Sequence, residues 1–133
     1  MGLTDKGVRL SKGTNRGRVE SVVLKRPIVF NSNKITVALI EIDHINFGLD
    51  RKTAKLKKDR RTSFSLNDIE KFLALLDGEY LFPRSHKGRV SRFEHRVDCP
   101  IGGRFFKKEF LMIFDTDYDK PSEIHTITIY PGW

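Results

Sequence analysis

Two rhythms of hydrophobic and polar positions run along the chain, and they change over at Asp43. Before it, VESVVL at residues 19–24 and Ile28-Val29-Phe30 read as strand, with Pro27 interrupting them and Asn31-Ser32-Asn33 as a turn. Residues 34–42, KITVALIEI, are rich in β-branched side chains and apolar on both faces at their centre, which predicts an interior strand. Ile42, Ile45, Leu49 and Leu56 then recur at helical spacing. They predict a helix over residues 43–58, with Asp43 capping or charging its N-terminus and Gly48 costing about 1 kcal/mol. Ser65-Leu66-Asn67-Asp68 has the form of a capping box, with Asp in place of the usual Glu. Leu66, Ile69, Phe72, Leu73 and Leu76 share one face of the helix it opens, and Gly78 stands where a C′ glycine belongs. Short strands follow: Tyr80-Leu81-Phe82, then residues 89–98 after a polar turn at 84–88. The last two are 104–114, after the turn Pro100-Ile101-Gly102-Gly103, and 123–130, after an acidic loop at 115–122. This order predicts an α+β domain, an antiparallel sheet of about four to six strands with two consecutive helices packed on one face.

Composition narrows the picture. A chain of 133 residues fits one domain, over residues 19–133. Residues 1–18 hold Lys6, Arg9, Lys12, Arg16 and Arg18 among glycines, with no aromatic side chain, and read as a flexible basic arm. The arm has almost no apolar area to bury, so deleting residues 1–16 is expected to leave the melting temperature nearly unchanged; thermal denaturation of the truncated chain checks this. No apolar run approaches the roughly 20 residues that span a bilayer, which predicts no membrane partner. The opening residues lack the apolar stretch of a secretory signal. A single Cys99 excludes an internal disulfide and a cysteine-rich zinc site, and a reducing cytoplasm is the expected compartment. The net charge of +8 points to a polyanion, with RNA foremost.

The element order, together with the ending His125-Thr126-Ile127-Thr128-Ile129-Tyr130-Pro131-Gly132, resembles the barnase-, EndoU-, colicin- and RelE-like ribonuclease superfamily. Several bacterial branches of it carry a His near the start of the first helix, basic residues further along, and a Thr-x-Tyr-Pro ending. In this sequence those positions are His44, then Arg51 and Lys55, then Thr128 and Tyr130. The resemblance covers about residues 35–133; residues 1–33 have no counterpart in it, and the extra C-terminal helix of RelE-type toxins is missing. It implies a metal-independent endoribonuclease toxin, cytoplasmic and without a cofactor, that cleaves tRNA or mRNA by attack of the ribose 2′-OH. A cognate antitoxin or immunity protein is the implied partner.

The residues read by themselves agree in part. Such cleavage needs an acid and a base that titrate near neutrality, and fixed positive charge at the phosphate. Histidine supplies the first and arginine or lysine the second. On a continuous helix His44, Gly48, Arg51 and Lys55 share one face, either as a phosphate site or as a solvated basic stripe. Lys52, Lys57, Lys58, Arg60 and Arg61 add RNA-binding candidates, as do Arg84, His86, Lys87 and Arg89 in the polar turn. Along the last strand, alternation sends His125, Ile127 and Ile129 one way and Thr126, Thr128 and Tyr130 the other. His125 therefore reads as a packed histidine, and so does His95 beside Phe93 and Val97. The run from Asp115 to Asp119 opens like a calcium loop but has Lys120 and Thr126 where Gly and Glu are required. No zinc spacing, P-loop, nucleophile elbow or Rossmann fingerprint is present. The alternative function is a non-catalytic basic module that binds RNA or a protein partner.

Overall fold

The computed structural model describes residues 17–48, 53, 55–58, 63–102 and 109–131. Strands β1 (Glu20–Phe30) and β2 (Asn33–Ile40) come first, then helices α1 (Ile42–Phe47) and α2 (Leu66–Ala74). Strands β3 (Ser85–Lys87), β4 (Val90–Asp98), β5 (Glu109–Asp117) and β6 (Lys120–Pro131) complete the chain. The six strands form one sheet in the order β1-β2-β6-β5-β4-β3. Every neighbouring pair is antiparallel except β2 and β6, which run parallel. The α+β class is as predicted. Among the described residues no helix is long and apolar enough to cross a membrane.

One face of the sheet carries the core. Ile42 and Ile45 of α1 and Ile69, Phe72 and Leu73 of α2 pack with Ala38, Ile40, Met112, Ile124 and Ile129. The phenylalanines supply much of the volume in two trios. Phe30, Phe93 and Phe114 have ring centroids 5.1–5.4 Å apart, and Phe64, Phe72 and Phe110 5.2–5.6 Å. Helix α2 forms as its sequence predicts: Ser65 Oγ accepts from Asp68 N, and Asp68 Oδ2 accepts from Ser65 N.

The same helix also closes a sheet edge. Strand β1 is outermost, and its outward N–H groups would otherwise be open to pairing with another chain. Lys25 N donates to Glu70 Oε2 and Val29 N to Asp77 Oδ1, while Val29 O accepts from Gly78 N. Gly78 stands at φ 82°, the left-handed conformation, in the turn that follows the C-cap Leu75 rather than at the expected C′ position.

Several local expectations are corrected. Pro27 does not split the first strand; β1 continues through it, and its register against β2 shifts between Val23 and Ile28. The helix expected over residues 43–58 ends at Phe47, because Gly48 turns to φ 77° and its N–H closes onto His44 O. Asp43 does not cap α1 but supplies the negative charge expected in its first turn; its carboxylate accepts from Arg18 N at 2.9 Å, and Gly17 packs so tightly there that a Cβ would lie 2.5 Å from Asp43 Oδ2. Residues 80–82 form no strand; Asn31, through both ends of its side-chain amide, holds Leu81 instead. The expected turn at 84–88 is the strand β3 and the start of a hairpin whose first turn residue, Gly88, has φ 61°. The expected acidic loop at 115–122 is the end of β5, a turn at Tyr118 and Asp119, and the start of β6.

Candidate functional site

Alternation along β4, β5 and β6 sends every second side chain to the face away from the core. Register then aligns Arg92 with Asp115, Asp115 with His125, and His125 with Leu39 of β2. Within this row Arg92 forks onto Asp115, Nε to Oδ1 at 2.8 Å and Nη2 to Oδ2 at 3.0 Å. His125 Nε2 lies 2.9 Å from Glu41 Oε2. Glu41 follows β2 directly, and its N–H donates to Thr126 O, so the strand pairing that places the imidazole also places the carboxylate. The Glu41 side chain is 2% exposed and that of His125 17%. Hydrogen bonding to Asp115 holds the Arg92 guanidinium above its ordinary pKa; the charges of Asp115 and Glu41 add to this, and burial opposes it.

Two further rows extend the face, Glu94–Ile113–Thr128 and Arg96–Leu111–Tyr130. Arg84 pairs with Glu94. At the β3 edge a depression of about 370 Å³ is lined by Ser85, Lys87, Val90, Arg92 and Asp115. Helix α1 starts directly after Glu41 and packs on β6, with Ile42 and Ile45 turned into the core.

A bulge decides which β6 residues belong to this face. Register steps from Ile113–Thr128 to Phe114–Thr126, leaving Ile127 as the extra residue. One inserted residue reverses the alternation on its far side. Thr126, expected beside Thr128 and Tyr130, instead faces Phe114 in the core and is fully buried. His125, expected on the isoleucine side, joins Thr128 and Tyr130. His95 does lie on the core face, opposite Met112.

The other predicted residues divide. Because α1 ends before Gly48, Lys55, Lys57 and Lys58 do not continue the His44 face; they are exposed on a returning segment where Lys57 N bonds Gly48 O. Arg51, Lys52, Arg60 and Arg61 lie outside the described residues. The hairpin cations are split by strand alternation. Lys87 lies with Arg92 on the face away from the core, whereas His86 pairs with Ser91 and Arg89 with Asp119 toward the opposite side. Asp115 and Asp119 of the calcium-like run are thus engaged by arginines.

Sequence reasoning passed over Glu41, Arg92 and Asp115. The available signal was Glu41 itself, a carboxylate inside the apolar run KITVALIEI, where burial requires a partner. No family model, curated protein or solved structure matches the chain. The functional reading therefore rests on the residues.

Chemically, an ionised Glu41 requires His125 to carry its proton on Nε2, which leaves the Nδ1 lone pair for proton transfer. Arg92 has five N–H donors and spends two on Asp115. The remaining donors can hydrogen-bond a phosphate oxygen, although Asp115 balances the charge, and Lys87 adds a further cation to the depression.

Proposed function

We propose that this protein is a metal-independent endoribonuclease acting on cellular RNA. The observation that carries the reading is the His125–Glu41 hydrogen bond in one row with Arg92. In this reading His125 Nδ1 takes the proton of a ribose 2′-OH. The 2′ oxygen attacks the adjacent phosphorus, and the bond from phosphorus to the 5′ oxygen breaks. His44, one helical turn beyond Glu41, returns a proton to the leaving oxygen. Lys87 balances the phosphate charge, Arg92 donates its remaining N–H groups to the phosphate oxygens, Thr128 and Tyr130 contribute hydroxyls, and Arg51, Lys55 and the neighbouring basic residues extend the RNA track. The biological setting is a cytoplasmic toxin restrained by an antitoxin or immunity protein.

The test is incubation of the purified protein with defined single-stranded RNA, with and without EDTA. Cleavage that persists in EDTA and leaves a 2′,3′-cyclic phosphate is expected; cleavage abolished by EDTA would overturn the metal-free step. Binding is expected to weaken steeply with salt, each neutralised phosphate adding roughly 0.7 to the log–log slope on a single strand. A slope near zero, measured by titration with a non-cleavable RNA, would remove the nucleic-acid reading in both its catalytic and its binding-only form.

A further inference from the structure

A second cleft, of about 560 Å³, opens on the other side of the β3–β4 hairpin. Its floor is apolar: Phe30, Ile35 and Phe93 line it and are almost fully buried. Its rim is polar. Asn33 and His86 are exposed there, and His86 Nδ1 sits 2.9 Å from Ser91 Oγ. The rim has no positive charge to spare. Arg89 Nε holds Asp119 at 2.8 Å, and a second carboxylate, Asp117, stands beside them with its Oδ1 accepting from Asp119 N. An anionic group is therefore disfavoured inside this cleft.

An exposed aromatic side chain, Tyr118, stands at the opening. Tyr118 is 77% exposed, and the Arg89 guanidinium lies over its ring at 4.4 Å from the centroid. Tyr118 N also bonds Arg89 O, so two hairpin turns hold this platform in place. Phe82 and Tyr80 are 88% and 67% exposed and meet edge to face on the segment leading to β3. Solvent-exposed aromatic rings beside cationic side chains are what unpaired bases stack on. A planar neutral ring entering a slot with an apolar floor and an amide and an imidazole at the rim matches a nucleobase.

We infer that this cleft takes one unpaired base of a single-stranded RNA, with a neighbouring base stacked on Tyr118. The inference rests on the RNA reading above and names its substrate class. Strand β3 has only three residues and forms the sheet edge, so Lys87 on one side and His86 on the other are separated by a single strand's thickness. An RNA passing over that edge reaches both clefts, with its phosphates on the Lys87 side. A duplex does not, because its bases stay stacked and paired.

The experiment is fluorescence anisotropy with a labelled 2′-O-methyl single-stranded oligonucleotide, which lacks the attacking hydroxyl, and with the matching duplex. Tyr118→Ala is expected to weaken single-strand binding roughly 5- to 100-fold, and His86→Ala to weaken it in the same direction. Both side chains are exposed, so circular dichroism is expected to be unchanged. Duplex binding is expected to stay within about twofold of wild type in both variants. Unchanged single-strand affinity in both variants would overturn the cleft assignment and leave the RNA reading standing. An equal loss for duplex would overturn recognition of an unpaired base. No binding of either oligonucleotide by the wild-type protein would overturn the RNA reading and this inference with it.

Discussion

Replacing His125 with Gln is expected to lower the rate of single-stranded RNA cleavage about a hundredfold to ten-thousandfold, the usual cost of losing a positioned acid or base. Gln is the informative substitution. It can still donate a hydrogen bond to Glu41 Oε2, so the buried carboxylate keeps a partner, yet it cannot transfer a proton at neutral pH. His125→Ala removes that hydrogen bond from a buried carboxylate, which mixes a stability loss with the catalytic one. Glu41→Gln acts through the imidazole. It no longer enforces the Nε2–H tautomer, so kcat/KM is expected to fall and its pH profile to move relative to wild type. A merely structural Glu41 would change the amount of folded protein without moving that profile. The rate assays are run at matched folded concentration, fixed by near-ultraviolet circular dichroism.

The second large effect is on stability. Phe114→Ala is expected to cost about 3–5 kcal/mol, measured by urea denaturation. Phe114 is fully buried, stacks on Phe93 at 5.3 Å and meets Phe30 edge to face at 5.4 Å. Those two rings are pinned on separate strands, so neither can collapse into the space. Its neighbour Asp115 carries the ion pair with Arg92, and loosening β5 at this point disturbs the Arg92–Asp115–His125 row as well. Phe82→Ala is the contrasting case. The same ring is lost from a position that is 88% exposed, and the change is expected to stay within about 0.5 kcal/mol.

What was legible in the sequence follows from how local each cause is. The α2 capping box and apolar face act within a few residues, and the helix starts where they place it; it ends at Ala74 with Leu75 as C-cap, short of the C′ glycine expected at Gly78. The class of the fold followed from element order. The first helix was overextended because Leu49 and Leu56 kept the helical period, while the backbone at Gly48 adopted a left-handed turn that periodicity does not register. Strand β3 was missed because all three of its residues are exposed at the sheet edge, leaving no apolar alternation to read.

The site was less legible for a different reason. His125 looked packed because parity was counted through Ile127, and a bulge is invisible until the partner strand is known. Glu41 and His125 are 84 residues apart, and the parallel β2–β6 pairing that joins them is a property of the whole sheet. Arg84, His86, Lys87 and Arg89 read as one basic cluster, yet alternation across a three-residue strand puts them on different faces.

Single-turnover cleavage of a 5′-labelled single-stranded RNA in EDTA, by wild type, His125→Gln and His44→Ala, bears most directly on the proposed active site. Wild-type cleavage to a 2′,3′-cyclic phosphate is expected, with at least a hundredfold loss in both variants and melting temperatures close to wild type. Cleavage by His125→Gln at the wild-type rate, or no cleavage by the wild-type protein, would contradict it.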